Sequence, residues 1–207
     1  MNNLYKSILI LQILIIGCAP NIIEEKDFAK EINNLDLNIF SENGKKKYTI
    51  TSPYSIYDNF KNKFQFQKTT INIFQDDKIK YILNSDESNL SRNNKILELK
   101  GNVELKTINE DEDFLLADNF IWNIDESKYL LTGNIRFENK NVILESGKAK
   151  MALDNIIEFF NPVKYLIKDE NNENKYEINA ENAYYNLNTE SVSFKGKDKR
   201  VKSIIYF

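Results

Sequence analysis

The sequence predicts an all-β domain, arranged as a sandwich or a barrel. Apolar side chains alternate with polar ones through short runs, so that Phe120, Trp122 and Ile124 share one face of a strand. Polar turn residues such as Asp125-Glu126-Ser127 separate these runs, and the runs recur roughly every ten residues. A hairpin pattern that the chain repeats indicates several similar units within one domain.

Composition limits the function as well as the fold. The chain has 207 residues, with one cysteine and no histidine. Histidine-based catalysis, histidine metal ligands, multi-cysteine zinc sites and an internal disulfide are therefore excluded. The net charge of −3 and the pI of about 5.3 provide no basic field for nucleic acid. The sequence contains no phosphate-binding glycine loop, dinucleotide fingerprint or nucleophile elbow, so we predict a protein that is not an enzyme and uses no cofactor or metal.

Residues 1–17 are predicted to be a lipoprotein signal peptide. A short front bearing Lys6 precedes the mostly apolar run Ile8–Ile16, which is too short for a membrane-spanning helix. The run leads into Ile15-Ile16-Gly17-Cys18, which resembles a bacterial lipobox. This resemblance implies cleavage before Cys18 and attachment of a diacylglycerol to its sulfur. The alternatives are an uncleaved anchor, or ordinary secretion with an incidental cysteine.

Residues 18–36 are predicted to be a lipid-anchored tether that precedes a folded domain at 37–207. One proline and a run of charged residues favour a flexible spacer. The helical spacing of Phe28, Ile32 and Leu35 makes a short helix the alternative.

The first strands are predicted on either side of a turn at 41–44, whose Asn-Gly pair is typical of hairpins. The flanking strands are Leu37–Phe40 and Lys47–Thr51. Pro53 then breaks the pattern or marks a sheet edge, and Asp76-Asp77 supplies a later turn. Further alternating runs contain Phe64 and Phe66, Ile71 and Ile73, and Ile79, Tyr81 and Leu83.

The region 117–137 is the clearest copy of the repeated hairpin. It runs from a small residue, Ala117, through large apolar residues, a polar turn and an apolar pair to Gly133-Asn134. Ungapped matches are Ser85, Ser88, Leu90, Leu97, Leu99 and Gly101-Asn102 upstream, and Ala180, Ala183, Tyr185, Leu187, Val192, Phe194 and Gly196 downstream. Looser copies begin at Ser146 and Ser52. One hairpin cannot bury its own face, so stacked copies are expected to share an apolar interior. Coincidental alternation is the alternative.

Two of the repeated segments resemble the OstA-like β-jelly-roll domains of lipopolysaccharide transport. They are Gly101-Asn102-Val103-Glu104-Leu105, echoed at 133–137, and the alanine-to-aromatic segment 117–122, echoed at 180–185. With an N-terminal membrane attachment and a single domain of this length, the chain is most similar to the LptC family. The resemblance implies a twisted, open β-jelly roll built from antiparallel hairpins.

The LptC resemblance also implies a function. A membrane-anchored periplasmic protein would accept lipopolysaccharide from an inner-membrane ABC-transporter complex. It would pass the lipid to a periplasmic OstA-like bridge protein, and so along a row of jelly rolls joined edge to edge towards the outer membrane. Well-studied LptC proteins carry a transmembrane helix where this sequence shows a lipobox. A lipid anchor at Cys18, in the inner membrane, would replace that helix if the helix only tethers.

The same resemblance implies that acyl chains lie in a groove between the sheets. The inward positions of the repeats that would line it are Phe120, Trp122, Ile124, Tyr129, Leu131, Met151, Leu153, Tyr185, Leu187 and Phe194. Ordinary core packing explains any one of these side chains, and a groove follows for the set only through the resemblance.

The C-terminal strand is predicted to offer a docking edge for the next bridge protein through Ile204, Ile205, Tyr206 and Phe207. A strand paired within its own sheet is the alternative. Two other functions compete with lipid transport: a structural or adhesive surface lipoprotein with a closed β core, and a glycan-acting enzyme with paired carboxylates. The acidic runs at 110–113 and 169–173 are predicted to be hairpin turns, and calcium binding there is the less favoured alternative because the EF-hand spacing and its glycine are missing.

Overall fold

The chain folds entirely as β-structure over the part that a computed structural model describes, residues 29–91, 95–108, 113–140, 142–151, 155–168, 173–196 and 201–206. The all-β prediction is confirmed. The strands are β1 (Lys30–Phe40), β2 (Lys46–Asp58), β3 (Lys63–Gln75), β4 (Lys78–Ser91), β5 (Ile96–Thr107), β6 (Phe114–Asn123), β7 (Lys128–Asn139), β8 (Val142–Met151), β9 (Ile156–Lys168), β10 (Asn174–Asn186), β11 (Ser191–Lys195) and β12 (Lys202–Ile205).

The strands form one antiparallel sheet in which each strand pairs with its neighbours in the sequence, from β1 to β11. β12 pairs with β10 at Tyr176–Asn179, whereas β11 pairs with β10 at Asn182–Asn186, so the two short strands share that edge. β1 and the β11–β12 edge do not pair with each other in the described residues. The sheet is therefore open, as the family resemblance implied, and it is built from consecutive hairpins, as the sequence predicted.

Most strands bend at their middle, which divides the sheet into two halves. The register shifts at this point in every pair from β4–β5 to β9–β10. Half-sheet A comprises 35–40, 46–51, 69–75, 78–84, 103–107, 114–117, 135–139, 142–146, 163–168, 174–180 and 202–205. Half-sheet B comprises 30–33, 54–58, 63–67, 87–91, 96–100, 119–123, 128–132, 148–151, 156–160, 182–186 and 191–195.

The Gly-Asn pairs of the repeat lie at these bends. Gly101 and Gly133 have φ values of +73° and +76°, which favour glycine because a Cβ is strained there. The asparagine that follows each glycine donates its side-chain amide to an aspartate of the preceding strand. Asn102 Nδ2 lies 2.7 Å from Asp86 Oδ2, and the equivalent bond at Gly133-Asn134 joins Asp118 over 2.9 Å. These two copies of the repeat therefore encode the bend, because each of them supplies both partners.

The two half-sheets face each other across one core. Tyr48 of β2 lies 5.2 Å from Trp122 of β6, between ring centroids, although these strands are not neighbours in the sheet. Phe137 of β7 contacts Tyr185 of β10 over 4.6 Å in the same way. Alternation along each strand turns one face towards this core, which explains why the period-two pattern was so clear.

The sheet begins earlier than the sequence predicted. β1 starts at Lys30 rather than at Leu37, so the predicted tether at 18–36 is wrong for its last seven residues, and the helix alternative fails there too. Asn34 has a φ of 53°, and this irregularity separates inward Ile32 from inward Leu35 by three positions. The strand bends there, opposite Pro53 and without a register shift, so its inward residues have the three-residue spacing of a helix. The signal peptide at 1–17 and Cys18 lie outside the described residues and stay predictions.

The predicted turns are confirmed where they can be compared. Ser41–Gly44 joins β1 to β2, and Asp76-Asp77 joins β3 to β4 with both residues at positive φ. Pro53 lies inside β2, where pairing with β3 lapses between Thr51 and Tyr54. It breaks the ladder at the bend of an internal strand, so the edge interpretation of Pro53 is wrong.

Candidate functional site

The space between the half-sheets is the best candidate for a functional site, because most of the predicted groove residues meet there. Phe120, Trp122, Ile124, Leu131 and Tyr185 are buried in one hydrophobic cluster. Tyr129, Met151, Leu187 and Phe194 are partly buried against the same cluster. Leu153 lies outside the described residues. The sequence thus placed these side chains in one interior, which is compatible with a core and with a groove.

Trp122 lies between the half-sheets, next to the last residue of β6. Its side chain is only 6% exposed and contacts the rings of Tyr48, at 5.2 Å, and Tyr129, at 5.7 Å. The indole Nε1 is buried and has no hydrogen-bond partner among the described residues. A buried donor without a partner is costly, so this N–H is available to an acceptor on a ligand.

A small cavity lies beside this aromatic cluster. Its volume is about 30 Å³, and it is bounded by both half-sheets. Its lining is Tyr81, Leu105, Thr107, Asp113, Phe114, Leu115 and Phe137 on one side, and Phe120, Tyr129, Leu131, Met151, Ile157 and Leu187 on the other. An apolar cavity of about 150 Å³ holds a benzene molecule, so an acyl chain requires the half-sheets to separate.

Most of the groove residues that sequence reasoning missed come from half-sheet A, whereas Ile157 comes from half-sheet B. Leu105 and Phe137 end the two Gly-Asn motifs, and Tyr48 and Tyr81 lie on alternating runs. The signal was present in those alternations. Most of the predicted groove residues lie in half-sheet B, because the sequence repeat is most regular there.

The interior carries little charge. Burial raises the pKa of Tyr129 to about 12, with a smaller effect from Tyr81. Burial, and to a lesser degree Asp125, raises the pKa of Tyr48 to about 12. Both phenols therefore stay neutral over the physiological range. Such an interior can bind hydrocarbon chains that carry a few oxygen acceptors, because its side chains are aliphatic groups, neutral phenols and one indole N–H.

Polar groups close one boundary of the cavity. Asp113 is buried and accepts a hydrogen bond from the amide of Asn139. The backbone of Asp113 is tied to Thr107, whose N–H donates to the Asp113 carbonyl over 2.9 Å. These contacts join the end of β5, the start of β6 and the end of β7, and they fix that wall of the cavity.

Comparison with known proteins identifies the family. Residues 19–153 match the family described as "Lipopolysaccharide-assembly, LptC-related", which is more than half of the chain. This chain belongs to the LptC-related family. The resemblance found in the sequence is thereby confirmed, and the function lies in lipopolysaccharide assembly rather than in an unrelated surface scaffold.

Two further comparisons accompany the family match. No curated protein matches the sequence. Among solved structures, this LptC-related chain is similar to the crystal structure of LptH from Pseudomonas aeruginosa, described as the LptA-homologous periplasmic component of the lipopolysaccharide transport device. The two are 7% identical, with a TM-score of 0.45, over 77% of this chain and 94% of that chain.

A second concavity lies on the reverse face of half-sheet B in this LptC-related protein. Its volume is about 790 Å³, and its floor includes Ile121, Leu130 and Tyr184. Its charged residues are already paired within the protein. Lys150 lies 2.7 Å from a carboxylate oxygen of Glu158. This surface offers no unpaired buried donor comparable to the Trp122 indole in the described residues.

The predicted docking residues that the structure describes lie at one edge of the sheet, in and beside β12. β12 pairs with β10 through Ile204 and Ile205, so the strand does lie within its own sheet. No described strand pairs with its other side or with the outer side of β1. Ile205 and Tyr206 are 51% and 44% exposed, whereas Phe207 lies outside the described residues. A role for this edge in docking stays a prediction.

The described residues contain no helix long and apolar enough to cross a membrane. Nor do they gather three or more metal-ligating side chains at one place.

Proposed function

We propose that this LptC-related protein is a lipid-anchored periplasmic carrier that holds the acyl chains of lipopolysaccharide between its two half-sheets. It would receive the lipid from an inner-membrane ABC-transporter complex and release it to a periplasmic bridge protein of the same OstA-like kind. The observation that carries this proposal is the unpartnered Trp122 indole inside a neutral, aromatic interior. Acyl chains of this glycolipid class present ester and amide carbonyls, which accept from such a donor.

Loading requires a change of shape, because the closed interior leaves only about 30 Å³. Relative to water, each acyl methylene that enters contributes about 0.8 kcal/mol of transfer free energy. Lost contacts between the half-sheets oppose this gain. A chain of ordinary length therefore supplies enough favourable free energy to offset several ring contacts, each worth about 0.5–1.5 kcal/mol.

The proposed anchor is the diacylglycerol on Cys18, and the proposed handover uses the sheet edges. Cys18→Ser is expected to abolish lipid labelling and to release the protein from the membrane fraction. The unpaired sides of β1 and β12 are where strands of the ABC complex and of the bridge protein would add. Ile205→Pro should weaken capture of the bridge protein without releasing the chain from membranes.

Site-specific photo-crosslinking tests the interior directly. A photoreactive residue replacing Trp122 or Tyr185 is expected to yield a lipopolysaccharide adduct in cells. Ile121 is the matched control, because it lies between Phe120 and Trp122 in β6 but faces outward and is 38% exposed. Absence of adducts at every interior position, or equal adducts at Ile121, would contradict the proposal.

The closed interior also favours a second candidate, a structural lipoprotein of the assembly pathway with no lipid ligand. A core with so little free volume needs no ligand to be stable. Depletion separates the two functions. A carrier predicts newly made lipopolysaccharide accumulating at the inner membrane, whereas a scaffold with no transport role predicts normal arrival at the surface.

A further inference from the structure

The turn between β2 and β3 presents an unusually exposed aromatic side chain. Phe60 is 86% exposed, more than any other exposed large hydrophobic residue in the described part. The turn is well ordered by its own hydrogen bonds. Asp58 Oδ1 accepts the backbone N–H of Lys61 over 2.9 Å, and the Tyr57 hydroxyl donates to the Asn62 side-chain carbonyl over 2.9 Å. Phe60 is thus held outward by a fixed scaffold.

This turn lies where the folded domain meets the N-terminal segment. Lys30, the first residue of β1, pairs with Tyr57, which is the penultimate residue of β2. Because the strands are antiparallel, the chain that precedes Lys30 leaves the sheet on the side of the β2–β3 turn. Fully extended, the segment from Cys18 to Lys30 reaches about 40 Å, so a lipid at Cys18 keeps this turn within tether length of the bilayer.

We propose that the β2–β3 turn is a second membrane contact, with the Phe60 ring inserted at the interface of an anionic bilayer. The inference rests on the proposed lipid anchor at Cys18. Phe60 supplies the apolar element, and Lys61, Lys63 and Lys30 flank it with cationic heads on stems that can lie along the surface. Asp58 partly offsets Lys61, at 3.3 Å, so the phenylalanine dominates.

The contact orients the domain. A single lipid tether allows the sheet to tumble, whereas a second contact at the β2–β3 turn directs half-sheet B towards the membrane. The opposite end of β1 carries another exposed aromatic residue, Phe40, which is 55% exposed. β1 separates the two ends by about 35 Å of strand. Phe40 is therefore the matched control position, and we expect it to lie outside the bilayer.

Fluorescence quenching tests the proposal on the full lipidated chain. Phe60→Trp and Phe40→Trp variants are placed in vesicles of phosphatidylethanolamine and phosphatidylglycerol in equal parts, with brominated acyl chains. The emission of the buried Trp122, measured in the unsubstituted protein, is subtracted. We expect a loss of about twofold or more in the emission of Trp introduced at position 60, since interfacial side chains reach the quencher, and no loss at position 40.

Flotation of the same samples separates the inference from the proposed anchor. If the chain floats with vesicles but both positions are quenched equally, or neither is, the turn contact is wrong while the anchor stands. If the lipidated chain does not float, the anchor fails and the turn contact fails with it. Selective quenching at position 60 that persists after Lys61→Gln supports insertion of the aromatic ring rather than a purely electrostatic contact.

Discussion

The substitution Gly133→Ala tests whether the bends between the half-sheets are built by the Gly-Asn repeat. Gly133 has a φ of +76°, in the left-handed region that L side chains rarely adopt. A Cβ there would overlap Asp118, whose carboxylate accepts the amide of Asn134. The alanine variant must therefore adopt a strained backbone and displace the aspartate that closes the bend.

The cost follows from three contributions. The left-handed conformation costs alanine about 1–2 kcal/mol, and reduced freedom of the unfolded chain returns about 0.4–1 kcal/mol. Loss of the Asn134–Asp118 hydrogen bond adds about 0.5–1.5 kcal/mol. The expected decrease in the free energy of unfolding is therefore about 0.5–3 kcal/mol.

Two other glycines provide matched controls. Gly44 has a φ of +79° with nothing within 4 Å of an added Cβ, so Gly44→Ala carries the backbone cost alone, about 0–1.6 kcal/mol. Gly147 has open space and no positive φ, so Gly147→Ala is expected to stabilise by about 0.4–1 kcal/mol. Urea unfolding followed by Trp122, the only tryptophan in the chain, measures all three variants.

The order of the three variants decides the outcome. Gly133→Ala should be the most destabilising of the three variants. In a chain that already carries Asp118→Ala, the same Gly133→Ala change should cost less, because most of the overlapping side chain is then absent. If Gly133→Ala costs no more than Gly44→Ala, then Asp118 does not restrict the bend, and the structural explanation of the repeat is wrong.

Three further changes probe the interior. Trp122→Phe should alter the free energy of unfolding by only about 1 kcal/mol, since lost packing is offset by removal of an unpaired donor, yet it should weaken lipopolysaccharide binding in a titration several-fold. An unchanged affinity would show that the indole donates nothing to the ligand. Tyr129 and Tyr48 have pKa values of about 12 against an ordinary 10.0, so the stability they contribute is complete below pH 10 and falls as pH rises towards 12. Tyr129→Phe should flatten that fall in alkaline urea titrations, and an identical profile would refute the assignment. Phe137→Ala should cost about 3–5 kcal/mol by the same urea measurement, because this 2%-exposed ring joins both half-sheets; a loss below about 1 kcal/mol would place the ring outside the shared core.

The sequence predicted the class of fold and its hairpins well, because alternation and turn chemistry are local. Asp76-Asp77 and the Asn-Gly turn lie where they were expected. The same logic found Gly133-Asn134 but not its partner Asp118, since a hydrogen bond between neighbouring strands has no periodic signature. A clue existed, because an aspartate follows the small residue in two copies, at Asp86 and Asp118.

The interior was predictable as a set of apolar residues but not as a site. Whether Trp122 lines a channel or a core depends on how closely the half-sheets approach, and that distance is set by bends that sequence patterns do not measure. The prediction of where β1 starts was wrong for a similar reason. The positive φ at Asn34 changed the spacing of inward residues from two to three, and the polar edge strand resembled a tether.

Nearly every long strand of this sheet belongs to both of its walls. The walls therefore cannot part as two independent plates, and any opening has to be a change of angle at individual bends. Hydrogen bonds between adjacent strands pass that change from one hairpin to the next. A widening at one bend therefore also changes the angle of the neighbouring hairpins, so the depth of the interior is a property of the whole row of strands rather than of any single residue in it.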